Sequence, residues 1–184
     1  MGEAASHGEP APTARRRPAT VVIGVGNRLR QDDAAGLHAV DLLRGRAQAA
    51  GIAVRVQEGE ALGLLEQWEG ARTAVLLDTI HANSQPGKIH RVDVSSEPVP
   101  ALLGGSSSTH ALGMADAIEL ARALGCLPAR VVLYGVQGRR FDAGGGLSRE
   151  VEAAIAPLAE AVLAEACRAD GQALSRAAAT AAWP

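Results

Sequence analysis

Residues Val21–Gly36 read VVIGVGNRLRQDDAAG. Val21, Val22 and Ile23 form a short β-branched apolar run, the pattern of a buried strand. Gly24 and Gly26 then allow a tight turn and close backbone approach at the strand's end. Asp32 and Asp33 open the next apolar-periodic run, Asp33–Arg44, which carries Leu37, Val40, Leu42 and Leu43 and reads as an amphipathic helix. A strand, a glycine turn and a helix are the first steps of an open α/β sheet, whose binding crevice lies at the carboxyl ends of the strands. Asp32 is placed to cap the helix N-terminus. Consecutive helical residues point about 100° apart, so if Asp32 caps, Asp33 is the acid left to project into the crevice.

The pattern repeats downstream. Ile52–Val56 alternates as a second strand, and Ala61–Trp68 reads as a short helix. Ala74–Leu77 is a fully apolar third strand that ends at Asp78, an acid expected to leave the core there. Pro86-Gly87 turns the chain into a fourth strand, Lys88–Val94. The connection is too short for a parallel crossover, which predicts a fourth strand antiparallel to the third. Pro98–Thr109 reads as a flexible loop closed by His110, before a helix over Ala111–Leu124 with Gly125 as its C-cap. Val131–Val136 is a fifth strand leading into Gln137, and a last helix spans Ser148–Arg168 with Ser148 as its N-cap. The expected architecture is a three-layer α/β/α domain on a five-stranded mixed, mostly parallel sheet. Residues 20–169 make one domain, 1–19 a disordered extension and 170–184 a loose tail.

Composition narrows the function. The chain is 47% hydrophobic but has one Phe, one Tyr and two Trp, so its core is Ala, Val, Leu and Ile. A net charge of -2 gives no footprint for nucleic acid or an anionic membrane. No run reaches the roughly 18 apolar residues of a membrane span, and the N-terminal stretch lacks the apolar region of a secretory signal. The expected location is the cytoplasm. Cys126 and Cys167 form no CxxC pair and read as small buried apolar residues. Gly24-x-Gly26 lacks a third glycine at Leu29 and is a poor dinucleotide fingerprint. Ser106–Ser108 lie near His110 without a G-x-S-x-G elbow. Arg139-Arg140 reads as a solvated basic pair. Asp33, Asp78 and His110 remain at loop positions on one sheet edge. Two carboxylates and one imidazole suit a borderline divalent ion such as nickel or zinc, with coordination positions left open.

The run Gly24-Val-Gly26-Asn27-Arg-Leu29-Arg-Gln-Asp32-Asp33-Ala-Ala-Gly36 resembles the signature of the hydrogenase maturation endopeptidases. Three more landmarks follow in order: Asp78 with Pro86-Gly87, then His110-Ala-Leu-Gly113-Met114, then Gly135-Val-Gln137. The resemblance implies a hydrogenase-maturation-protease (phosphorylase-like) fold that trims the C-terminus of the [NiFe]-hydrogenase large-subunit precursor. It also implies that Asp33, Asp78 and His110 are both the catalytic groups and the ligands of nickel, which arrives already lodged in the precursor. An aspartic-type mechanism goes with it. The chain departs from the pattern at Ala34, where the family usually has Gly, and at Glu58-Gly59-Glu60, where Gly-Gly-Thr is common. A nickel-sensing chaperone that binds the precursor without cutting it is the alternative reading.

Overall fold

The computed structural model describes residues 18–100 and 113–181, with side chains to residue 171. Five strands and four α-helices form along the predicted apolar runs, strand and helix alternating except between the third and fourth strands. In chain order they are β1 (Thr20–Gly26), α1 (Ala35–Ala49), β2 (Ala53–Glu58), α2 (Leu64–Gln67), β3 (Thr73–Ile80), β4 (Ile89–Asp93), α3 (Met114–Ala123), β5 (Arg130–Gln137) and α4 (Arg149–Ala181). A 3-10 turn over Gln31–Ala34 leads into α1. The strand order is β2-β1-β3-β5-β4. The first four in that order are parallel, and β4 is antiparallel to β5.

The period-2 alternation of the strands sorts two cores. On one face, Val22, Val75, Leu77 and Val132 pack against Ala39, Val40 and Leu43 of α1 and Leu158 and Val162 of α4. On the other, Val21, Ile23, Leu76 and Leu133 pack against Leu64 and Trp68 and against Ala117, Ile118 and Ala121 of α3. Gly24 and Gly36 bring α1 close to the sheet. A Cβ at Gly36 would lie 2.4 Å from the Leu77 carbonyl oxygen and 2.5 Å from that of Val25. This contact seats the first turn of α1, and Asp33 before it, over the end of β1.

Several expectations change. The direction of β4 relative to β3 is as predicted, but its hydrogen-bonded neighbour is β5. The residues between β3 and β4 need only cross the end of one intervening strand, a step of about 10 Å. β3 continues through Asp78 to Ile80, so Asp78 belongs to the strand, opposite Gly135 of β5, rather than to the loop after it. α4 runs past Arg168 to Ala181, along an Ala-rich stretch of high helix propensity. Leu42, counted on the apolar face of the first helix, is exposed, as are Leu120 and Leu124 at the end of the helix predicted over Ala111–Leu124. Cys126 and Cys167 are exposed as well, against the buried reading. Cys126 lies just beyond Gly125, which ends α3 with a φ of 68°, and Cys167 lies among the exposed positions of α4.

Candidate active site

The loops after β1, β3 and β5 meet at the carboxyl edge of the sheet, and Asp32 ties them together. Its side chain is fully buried. Its carboxylate accepts hydrogen bonds from the backbone N–H of Arg139 (2.8 Å), Arg140 (2.9 Å) and Ser148 (2.5 Å), and from Ser148 Oγ (2.8 Å). Its backbone N–H donates to the Arg140 carbonyl, and its own carbonyl accepts from Thr79 Oγ1 at 2.5 Å. Burial pushes this carboxyl up, but the hydrogen bonds from Ser148, Arg140 and Arg139 outweigh it and hold the pKa below the usual Asp value. Asp32 therefore does not cap its own helix. The Ser148 side chain, in turn, donates to Asp32. Neither the N-cap of the 3-10 turn, Arg30, nor that of α1, Ala34, makes a side-chain cap hydrogen bond.

With Asp32 committed to structure, Asp33 is the acid at the crevice. Its backbone is held on both sides: its N–H donates to the Arg30 carbonyl at 2.9 Å, and its carbonyl accepts from Asn27 N–H at 3.1 Å. Gly26 makes this wrap possible, because at its φ of 146° a Cβ would lie 1.9 Å from the Asp33 carbonyl oxygen. Asn27 Oδ1 accepts from Leu29 N–H and closes a side-chain turn before it.

Asp78 is the electrostatically unusual group. Burial pushes its carboxyl up to about 7, the negative charge of Asp33 adds to the rise, and the Thr79 N–H, donating at 2.7 Å, opposes it. The structure thus places Asp33 and Asp78 close enough for the charge of one to act on the other. His110 lies outside the described residues, as does most of the loop before it. Among the described residues, no three His, Cys, Asp or Glu side chains are grouped to hold a metal ion.

Two groups at this edge escaped the sequence reading. His81, the first residue after β3, feels the charge of Asp33; desolvation lowers its pKa and Asp33 partly restores it. Its ring stacks on Phe141 with centroids 3.8 Å apart and a 30° tilt. The second is the bracing role of Gln137. Its Oε1 accepts from the N–H of Ala82 at 2.7 Å and from Ser84, and its Nε2 donates to the Gly138 carbonyl. Gln137 was legible as a landmark, but nothing in its spacing tells that it fixes the segment after His81.

Such a molecule is an α/β/α protein with an acid pair at the carboxyl edge of a mostly parallel sheet. Residues 38–165 match the family model described as hydrogenase maturation protease. The hydrogenase 2 maturation protease of Escherichia coli K12 is 33% identical over 147 residues, 78% of this chain and 88% of the relative. The hydrogenase expression/formation protein HupD of Thiocapsa roseopersicina is 31% identical over 153 residues, 81% of this chain and 68% of the relative. Among solved structures, the hydrogenase maturating endopeptidase HybD from E. coli matches with a TM-score of 0.64 at 30% identity, covering 79% of this chain and 90% of that one. The chain belongs to the hydrogenase maturation protease family. Asp78 and His110 fall within the matched span, and Asp33 lies just before it.

Proposed function

We propose that this protein is an aspartic-type endopeptidase, acting in the cytoplasm, that removes the C-terminal peptide from the precursor of a [NiFe]-hydrogenase large subunit once nickel is in place. The observation that carries the reading is the Asp78 carboxyl, pushed up to about 7 beside the charge of Asp33. Peptide hydrolysis needs a base to take a proton from water and an acid to serve the departing amine. A pair in which one carboxyl is ionised and its neighbour holds a proton near neutral pH supplies both. In this reading Asp33 is the base, and Asp78 carries the proton toward the scissile bond.

Asp33, Asp78 and His110 also form a donor set for the nickel that the precursor brings. Two oxygens and one imidazole nitrogen leave room for ligands the metal already has. Ligation of a dication requires an ionised carboxylate, so Asp33 and His110 would hold the nickel first and Asp78 would join them only as its proton passes to the departing amine. Recognition of the metal and the protonation of the acid pair are then linked.

The test is the intact mass of a nickel-loaded large-subunit precursor, with and without the protein, beside a nickel-free control. Loss of a C-terminal peptide from the loaded sample alone is expected, and Asp33→Asn, Asp78→Asn and His110→Ala should each abolish it. A stable complex with unchanged mass would establish a precursor-binding chaperone instead. Normal processing by all three variants would dismiss the proposed site.

A further inference from the structure

The chain contains one phenylalanine, and it is absent from both cores. Phe141 lies instead in the strap between β5 and α4, at the edge that carries Asp33 and Asp78. Its ring covers Gly138, where a Cβ would meet Phe141 Cζ at 2.3 Å and the Thr79 methyl at 2.6 Å. Its carbonyl oxygen accepts two hydrogen bonds from the Arg30 guanidinium, at 3.1 and 3.0 Å. The strap is clamped before it by the Arg139 and Arg140 amides on Asp32 and after it by Gly144, whose N–H donates to Leu29 and whose carbonyl accepts from Gln31. The ring is therefore a fixed platform.

What rests on that platform is His81. It is exposed, so the stack buries too little surface to be explained by core formation. It follows β3 three residues after Asp78, and Gln137 fixes the backbone immediately beyond it through the Ala82 N–H. The charge of Asp33 reaches it. Among the described residues, neither ring nitrogen has a hydrogen-bond partner. An imidazole held in place at an acid pair, with its polar edge uncommitted, is preorganised to meet a ligand with little further loss of freedom.

We propose that His81, seated on Phe141, is a substrate-positioning residue. Its ring N–H donates a hydrogen bond to a backbone carbonyl of the precursor segment that lies against Asp33 and Asp78. An extended peptide presents a carbonyl at every residue and needs a donor to fix its register. Asp33 can only accept, and the proton of Asp78 is reserved for the scissile bond. His81 supplies the missing donor. The assignment rests on the protease reading, and its test separates the two.

The experiment measures processing of nickel-loaded precursor by wild type, His81→Ala, His81→Gln and Phe141→Leu, with the thermal midpoint of each. Loss of one neutral hydrogen bond in His81→Ala should lower kcat/KM by roughly five- to thirty-fold, carried mainly by KM. His81→Gln keeps an N–H donor and should recover most of the loss. Phe141→Leu, which frees the imidazole, should fall between. A purely packing role would move the thermal midpoint and leave KM unchanged in folded His81→Ala, and that result overturns the proposal. If wild type binds the precursor without shortening it, the protease reading fails, and the dissociation constant is read instead. A matching weakening in His81→Ala then upholds the positioning role, and an unchanged one refutes it. Absence of binding by wild type refutes both.

Discussion

Replacing Asp32 by Ala tests whether one buried carboxylate organises the carboxyl edge. The change strips a partner from the amides of Arg139, Arg140 and Ser148 and from the Ser148 hydroxyl, in a place where Asp32 itself has no exposure. The hydroxyl can rotate to another acceptor, whereas the three amides are fixed by the backbone. The buried Ser148 donor left unsatisfied costs roughly 1–3 kcal/mol and the partly buried amides of Arg139 and Arg140 less each, and relief of the carboxylate's desolvation offsets part of the sum, leaving a net loss of about 3–5 kcal/mol. For a chain of this size that corresponds to a fall of roughly 6–20 °C in thermal midpoint. Asp32→Asn retains one acceptor but turns an NH2 group toward an amide donor, and should lose about half as much. The assay is thermal unfolding at pH 7, repeated at descending pH. Because the folded pKa is depressed, the stability contributed by Asp32 is present above the unfolded Asp value and is lost as pH falls through the folded one. The gap between wild type and Asp32→Ala should therefore narrow in acid. A midpoint within about 2 °C of wild type at pH 7 would refute the reasoning, since even 1 kcal/mol moves it by that much; so would a gap that widens on acidification.

Two further predictions concern two other displaced carboxyls, Asp78 and Glu165. Asp78 has a folded pKa raised to about 7, so the folded state binds more protons than the unfolded one between about pH 4 and 7, and stability falls as pH climbs through that window. Asp78→Asn removes the penalty and should stabilise the metal-free protein by roughly 1–3 kcal/mol at pH 8 but hardly at pH 4, as read by urea unfolding. Glu165, only 3% exposed, has the opposite behaviour. It accepts hydrogen bonds from Arg91 first, then from Arg168, Arg130 and Tyr134, and is held at about 2. Its contribution is present above the unfolded Glu value and is lost as pH falls toward 2. Glu165→Gln should cost roughly 1–3 kcal/mol at pH 7, because the arginines stay partly solvated, and should raise the pH of the acid-unfolding midpoint.

What the sequence revealed and what it hid follow one physical division. Local patterns reported local facts. The run Val21–Ile23, the glycines after it and the apolar β3 were legible because burial on both faces demands continuous apolar residues. The exposure of Cys167 was missed, although the buried positions of α4, among them Val162, Ala166 and Ala169, leave it on the opposite side. The neighbour of β4 was not legible. The short connection after β3 sets its direction, but pairing depends on β5, which the chain reaches some forty residues later. Asp32 was misread for the same reason. Helix-capping logic looks three residues ahead, and the amides that claim this carboxylate lie 107 to 116 residues away. His81 carried no spacing signal at all; its place beside Asp33 exists only once β1 and β3 are paired.

The adjacent acids Asp32 and Asp33 show how one edge can hold opposite electrostatic demands. Asp32 is surrounded by donors and lies below the usual Asp pKa, whereas Asp33 puts its charge beside Asp78 and helps push that carboxyl up. The second arrangement is unfavourable to folding near neutral pH, so the edge must be held in place by something else. Asp32 and Gln137 do so from two sides: one binds the strap and, through its carbonyl, Thr79, while the other binds the segment after His81. Between them they fix the chain that follows Asp78 and the strap beside it, which opposes relief of the acid pair's repulsion by movement apart. Stability gained at two polar hubs with satisfied hydrogen bonds thus sustains a strained pair a few residues away, the pattern expected where a fold departs from local rules to do chemistry. On this argument Asp32→Ala should relax Asp78 toward an ordinary carboxyl as well as loosen the strap. Titration of Asp78 by NMR in that variant would show a pKa below that of wild type, with the larger part of the rise, which comes from burial, retained. A pKa unmoved by loss of the hub would mean that burial alone, without the imposed proximity of Asp33, holds the Asp78 proton.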